Sequence, residues 1–464
     1  MVVNPELSKF WQAAIRSGML DADGLAYCLE GIAPERLTPR GLDRRLARQA
    51  VAIGRITPWQ AQQLLLGRWK VLRIGKYELL RPIGSGGMGD VYLARDTTLD
   101  RKVAMKVLSG EQGRNPRAMA RFDREARIAG QLQDEHLIRV FDFGDAAGAR
   151  FLVMEYVDGE SVSRLIEGHG ALPPGAAAEV GLQVALGLEY LNLKGTLHRD
   201  VTPSNMLVDR GGTVKLADLG LAIDLDDAER LTREGSTIGT FDYLSPEQAS
   251  NSRGIGIQSD LYSLGCSLYH MIAGQVPFPA PTLPEKLVAH RLTEPAPLSD
   301  LAPSCSPALD AVIRRMMHKA PEARYARPAD VASALEPFAS GSATLGRMVS
   351  MGGARTSASS PETVEAFIVQ WLESDPEPEL DEKPSAPVAH PATPEVFPVI
   401  YVEAGTATAG GSPGGPPPIG PGGRIGARRA EAKAQRPLAM IPGSLSRFVR
   451  RFAAGLGRRI GGRR

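Results

Sequence analysis

Apolar residues recur along this chain in three rhythms, and the changes of rhythm divide it. Up to about residue 75 they fall at helical spacing, in Phe10, Trp11, Ala14 and Ile15 and again in Leu42, Leu46 and Val51. Thr57-Pro58-Trp59 predicts a helix start, with Thr57 as cap and Pro58 in the first turn, ahead of Ala61, Leu64, Leu65 and Leu66. Residues 1–75 thus read as a small helical module for packing or protein interaction, with no chemistry of its own.

From Lys76 the pattern turns to alternating, β-branched runs. Tyr77–Ile83, Val91–Arg95 and Val103–Leu108 predict three neighbouring strands, Arg117–Leu132 a helix and Phe151–Tyr156 a further strand. After Asp158-Gly159 helical spacing dominates, over about 175–194, 258–273, 283–292, 306–318 and 328–338. A small sheet-rich part followed by a larger helical part predicts an α+β fold of two lobes with a cleft between them, over residues 76–338.

Past Phe338 the rhythm is lost in Gly, Ser, Ala and Pro, with acidic residues from Glu373 to Glu382 and a Gly/Pro block from Gly410 to Gly423. Such composition buries too little apolar area to offset ordering, so residues 339–439 are expected to form a disordered linker, with at most a short element at Glu365–Leu372.

Composition narrows the class without naming it. The 464 residues have room for two or three domains, and 43% hydrophobic content is ordinary for a soluble protein. Cys28, Cys266 and Cys305 are odd in number and far apart, which fits a reducing compartment and excludes a disulfide framework or a zinc cluster. No run of about 18 apolar residues is present, and Met1–Phe10 lacks the basic and then apolar regions of a secretory signal, so the cytoplasm is expected.

The candidate chemistry is concentrated in His198-Arg199-Asp200-Val201-Thr202-Pro203-Ser204-Asn205, followed after twelve residues by Asp218-Leu219-Gly220. Mg²⁺ takes a few oxygen ligands and keeps its other positions for water and phosphate, so Asp218 and Asn205 are a natural protein contribution. Asp200 is then free to receive a proton from an incoming hydroxyl. Gly84-Ser85-Gly86-Gly87-Met88-Gly89 lies between two predicted strands, where residues without Cβ let backbone N–H groups approach phosphate. A strand follows these glycines, which separates them from a Rossmann fingerprint. Val103-Ala104-Met105-Lys106 then places a lysine on an apolar strand, and Glu125, at the edge of the inward face of Phe122, Ile128 and Leu132, is its candidate partner.

Together these parts resemble the protein-kinase signature, specifically that of the bacterial eukaryotic-like (Hanks-type) serine/threonine protein kinases, in order and spacing over about residues 76–338. The resemblance implies a bilobal protein-kinase-like fold that binds ATP with Mg²⁺, or Mn²⁺ in its place, and phosphorylates Ser/Thr hydroxyls of protein substrates. It implies that the glycine loop covers the phosphates, that Lys106 contacts the α- and β-phosphates and that Glu125 orients Lys106. Asp218 and Asn205 would hold the metal, and Asp200 would be the catalytic base. Met154 would be the gatekeeper, Glu155 and Val157 would meet the adenine edge through their backbone, and Ile83, Val91, Ala104 and Leu207 would sandwich the ring. Glu247, in Ser245-Pro246-Glu247, would pair with Arg324, and Asp260 would support the catalytic-loop backbone unless it serves as a helix N-cap. Arg199 is expected to be buried and to call for an anion, supplied by autophosphorylation at Thr232, Ser236 or Thr237, while Thr240 shapes the substrate-hydroxyl site. A homodimer is compatible with this class.

Two positions depart from the family pattern. Thr202 stands where such kinases carry lysine, which removes a cation from the transferring phosphate, an effect commonly worth about 10²–10³ in rate. Leu219 stands for the usual phenylalanine. A catalytically weak, nucleotide-binding pseudokinase scaffold is therefore the alternative, with a small-molecule phosphotransferase third.

The net charge of +2 hides an uneven distribution. From Arg424 to Arg464 a dozen arginines and lysines face the single acidic residue Glu431. Within 440–464, Leu445, Phe448, Val449, Phe452, Leu456 and Ile460 recur at helical spacing among arginines, which describes a basic amphipathic tail. Its expected partner is an anionic membrane surface, with nucleic acid and the chain's own acidic patch as competitors. Sedimentation with anionic vesicles is expected to pellet the full chain and to leave a chain lacking residues 440–464 in the supernatant.

Overall fold

The computed structural model describes residues 8–30, 39–86, 89–108, 113, 115–146, 148–219, 238–250 and 255–352. Gly87, Met88, Thr232, Ser236, Thr237, the side chain of Thr240 and everything beyond Gly352, including the basic tail, lie outside that set.

Four helices open the chain: α1 (Lys9–Ser17), α2 (Ala22–Glu30), α3 (Pro39–Ala52) and α4 (Pro58–Leu65). Ser8 caps α1 and also bonds Asp43 of α3, and Gly18 ends α1 in the left-handed conformation at φ 66°. Phe10, Ala14, Leu42, Leu46, Ala61 and Leu64 converge on one core with Leu25, Cys28 and Leu72, as their spacing requires. Ile15 and Leu66 are exposed instead. Thr57 caps α4 in a reciprocal box with Gln60, with Pro58 in the first turn.

The sheet comes next as β1 (Arg73–Ile74), β2 (Tyr77–Gly86), β3 (Gly89–Asp96), β4 (Arg101–Leu108), β5 (Val140–Ala146) and β6 (Ala149–Glu155), in the order β1-β2-β3-β4-β6-β5. All neighbours are antiparallel. Helix α5 (Pro116–Ala129) buries Phe122, Glu125 and Ala126, Phe122 and Ala126 joining Leu108 and Leu152 of the sheet. β5 is not legible in the sequence, because Asp142, Gly144 and Asp145 break its apolar alternation.

The second lobe begins with β7 (Gly159–Ser161), α6 (Val162–His169) and α7 (Pro174–Leu193). β8 (Met206–Asp209) and β9 (Val214–Leu216) join β7 in a small three-stranded sheet. Helix α7 is apolar on nearly every side and runs through the centre of the lobe, beside the helix Ile257–Ala273. Helices Leu283–Leu292, Pro307–Met316 and Pro328–Leu335 complete it, close to the predicted spans. Among the described residues no helix is long and apolar enough to cross a membrane.

The end of this lobe corrects the sequence reading. Residues 342–352, expected from their composition to belong to the disordered linker, form a helix instead, Ser342–Gly352, with Leu345 and Val349 buried in the lobe's core. Glu179 accepts hydrogen bonds from Gly341 N at 3.1 Å and Ser342 Oγ at 3.2 Å, and Gln183 Nε2 donates to the same hydroxyl at 3.2 Å. The small residues that look like linker are there for close approach: a Cβ on Gly346 would stand 2.5 Å from the Arg210 carbonyl oxygen. Leu345→Ala is expected to lower the unfolding free energy by about 2–5 kcal/mol in denaturant titration, a cost no linker residue would show.

Candidate active site

Strand register builds the site from the sheet side. Val91 of β3 pairs with Lys106 of β4, and Ala104 of β4 pairs with Met154 of β6. Ala104 and Met154 are buried, whereas Ile83, Val91, Glu155, Val157 and Leu207 are partly buried. Gly84 and Ser85 are exposed at the end of β2, and Gly86 pairs with Gly89 across the turn. Gly89 has φ 150°, and a Cβ there would lie 2.1 Å from the Val107 carbonyl oxygen. This glycine is therefore demanded by β4 packing beneath the loop.

Lys106, 7% exposed, joins the lobes. Its Nζ lies 2.9 Å from Asp218 Oδ1 and 3.7 Å from Glu125 Oε1. Burial works against the ammonium, but the two carboxylates outweigh it and raise its pKa above the ordinary lysine range. Burial pushes Glu125 up to about 7 although Lys106 pulls the other way. Burial also opposes ionisation of Asp218, yet Lys106 more than reverses this, so the Asp218 carboxylate stays below the usual range.

The segment His198–Asn205 is held from beneath. Both carboxylate oxygens of Asp260 accept backbone N–H groups, from His198 at 2.8 Å and Arg199 at 2.7 Å. Gly256 is the N-cap of the helix Ile257–Ala273, so Asp260 has the loop-supporting role and not the capping one. Arg199 and Asp218 both sit at positive φ, 71° and 54°, a strained conformation for such residues. His198 is buried, and burial lowers its pKa to about 4, so it is neutral. Its Nε2 donates to the Ala217 carbonyl at 3.1 Å, and Nδ1 accepts from Asp200 N at 3.3 Å.

Asn205 Nδ2 donates to the Asp200 carbonyl at 2.9 Å and to Asp200 Oδ2 at 2.8 Å. Burial pushes the Asp200 carboxyl up to about 6, with the Asn205 bond opposing. With its amide nitrogen committed, Asn205 has its carbonyl oxygen left as a ligand atom. One ionised carboxylate and one amide oxygen fit a hard cation that keeps most of its positions for water and phosphate. Among the described residues there is no cluster of three His, Cys, Asp or Glu side chains that would form a closed metal cage.

The Glu247–Arg324 pair is present and bidentate, at 2.7 and 3.0 Å, with the Arg324 side chain fully buried. Leu219 fills its apolar socket at 8% exposure. Arg199 departs from expectation. Its side chain is exposed, so no desolvation penalty calls for an anion. Asp260 takes the backbone N–H of Arg199 rather than its guanidinium.

Three supporting residues escape a reading of the sequence. Gln248 Nε2 donates to the Arg199 carbonyl at 3.1 Å while its Oε1 caps Ser245, and the Ser-x-x-Gln spacing is the available signal. Ser267 Oγ donates to the Val201 carbonyl at 3.0 Å. Lys215 of β9 reaches Glu155 of β6 at 3.2 Å, tying the lobes beside the expected adenine edge.

A sheet lobe and a helical lobe with this polar cluster at their seam define the protein kinase architecture. The protein kinase domain family matches residues 77–335, more than half of the chain, and the chain belongs to that family. It is similar to the serine/threonine-protein kinase PknH of Mycobacterium bovis, 38% identical over 261 residues, covering 56% of this chain and 43% of that protein. PknB of Mycobacterium leprae is 37% identical over 260 residues, with 55% and 42% covered. PknD of Mycobacterium tuberculosis is 38% identical over 264 residues, with 56% and 39% covered. The chain spans less than half the length of each of these relatives.

Proposed function

We propose that the chain is an ATP-dependent serine/threonine protein kinase acting in bacterial signalling. The observation that carries this reading is Lys106 held between Asp218 of one lobe and Glu125 of the other, at 2.9 and 3.7 Å. A scaffold that had given up chemistry would have no need to keep this triad together with Asp200 and Asn205.

Bound Mg²⁺ and ATP would supply the activated phosphoryl group and neutralise its charge. The chain's own residues do the rest. Asn205 and Asp218 would hold the metal, the glycine loop that begins at Gly84 would cover the phosphates, and Lys106, fixed by Glu125, would meet the α- and β-phosphate oxygens. Ile83, Val91, Ala104 and Leu207 would enclose the adenine beside Met154, with Glu155 and Val157 offering backbone groups. Asp200 orients the substrate hydroxyl and accepts its proton at a carboxylate oxygen, while Asn205 keeps that carboxylate in place. Arg199, Asp200, Thr202, Tyr243 and Gln248 line a small hollow beside the Asp200 carboxylate. Autophosphorylation at Thr232, Ser236 or Thr237 would set a phosphate against the exposed Arg199 guanidinium. The basic tail would hold the kinase peripherally at an anionic membrane, and a homodimer would let one copy phosphorylate another.

Incubation with labelled ATP and Mg²⁺, followed by phosphosite mapping, tests the reading directly: the wild type incorporates phosphate on serine and threonine and Asp218→Ala does not. Asp200→Asn is expected to lower kcat at least about 10²-fold, and Thr202→Lys to keep or raise it. Equal turnover of Asp200→Asn and wild type would defeat the base assignment. The Asp200 base works only when ionised, so kcat/KM is expected to fall about tenfold per pH unit below a limb near the carboxyl's value of about 6.

A further inference from the structure

The helical module is joined to the strand that leads into the glycine loop, and the joint is specific. Among the described residues β2 has only the two-residue β1 on one side, so beyond Glu78 its carbonyls on that edge have no strand partner there. Helix α4 supplies partners instead. Gln60, 1% exposed, donates from Nε2 to the Leu79 carbonyl at 2.9 Å and to Glu78 Oε1 at 3.0 Å. Its Oε1 accepts from Thr57 N at 2.8 Å, so both ends of the amide are committed. Thr57 Oγ1 donates to the Leu80 carbonyl at 2.6 Å. Trp59 packs on Tyr92 of β3, ring centroids 5.8 Å apart.

These contacts fall where β2 is irregular. Its pairing with β3 shifts register between Leu79 and Arg81 and again between Pro82 and Gly84, so the first bulge is centred on Leu80. A bulge bends a strand and changes its twist, which sets the direction taken by the residues downstream of it. In β2 those residues include Ile83 and the exposed Gly84 and Ser85. Thr57 bonds the carbonyl of Leu80, the residue skipped in the pairing, and Gln60 bonds that of Leu79 beside it. Glu78 is held as well, by Arg95 of β3 at 2.8 Å, so Gln60 is bonded into the β2–β3 pair as a unit.

We infer that Thr57, Trp59 and Gln60 are positioning residues for nucleotide binding, fixing the course of β2 and hence the height of the glycine loop over the phosphates. The module is then a working part of the kinase. This rests on the reading of the site as an ATP site. The test uses the full chain, with steady-state kinetics against ATP and amide hydrogen exchange.

Gln60→Leu is expected to raise the KM for ATP about three- to tenfold, the loss of one or two ordinary hydrogen bonds, with kcat within about twofold. Exchange should accelerate along residues 78–86 and remain unchanged in helix α7. Thr57→Val should do the same, and Thr57→Ser, which keeps the hydroxyl, should restore both readouts. Should Gln60→Leu fail to fold, Trp59→Leu leaves the hydrogen bonds in place and serves the same measurements. Faster exchange in both lobes together would overturn the inference in favour of a merely structural joint, as would unchanged KM and unchanged exchange in β2. Absence of ATP binding by the wild type in calorimetry would remove the underlying reading of the site, whereas unaltered β2 exchange in a chain that binds ATP would remove this inference alone.

Discussion

One buried ammonium holds the two lobes in register. Lys106 Nζ is shared by buried Glu125 of α5 and partly exposed Asp218 of the segment after β9, so a displacement of either element takes a carboxylate away from a buried ammonium. A buried pair contributes little net stability when intact, and solvent at Asp218 screens this one further. The triad is thus better understood as a determinant of geometry than of stability. It ties the helix that carries Glu125 to the loop that carries the expected metal ligand. The Glu155–Lys215 pair adds a second tie at the other end of the seam.

Beneath that seam the backbone is under strain, and one helix absorbs it. Arg199 and Asp218 occupy a region of φ that a free chain would leave. Asp260 holds the first through two N–H groups, and Ser267, further along the same helix, takes the Val201 carbonyl. Because that helix is buried over most of its length, its side chains are a rigid platform. The placement of Asp200 is therefore inherited from a buried helix behind it. Neutral His198 completes the support by linking the Asp200 backbone to the Ala217 carbonyl next to Asp218.

Much of this is legible in the sequence, for identifiable reasons. Strands β2, β3, β4 and β6 carry unbroken β-branched or alternating runs, and the long helices carry full apolar stripes. The polar residues of the site are chemically conspicuous, and their spacing matches a known signature. The features that escape are those that depend on tertiary partners. β5 contains a glycine and acidic residues that pairing with β6 tolerates. The helix Ser342–Gly352 is built from small residues that look like linker until the Asp209–Gly212 turn is seen against them, with a Cβ on Gly212 only 1.8 Å from the Ser342 carbonyl oxygen. The burial expected for Arg199 fails because chemical type does not fix environment: the left-handed turn at that residue leaves its side chain in solvent.

The joint between α4 and β2 also bears on what counts as a separable piece of this protein. The family match begins at residue 77, one residue before Glu78 and twenty after Thr57. A fragment cut at that point would lose β1 as well as α4, leaving the outer edge of β2 open and the Tyr92 ring without Trp59. Open strand edges beside bare aromatic surface are templates for self-association. The packed unit therefore begins ahead of the sequence homology, and aggregation of a fragment trimmed to that homology would reflect the missing cover, not a defect in the two lobes.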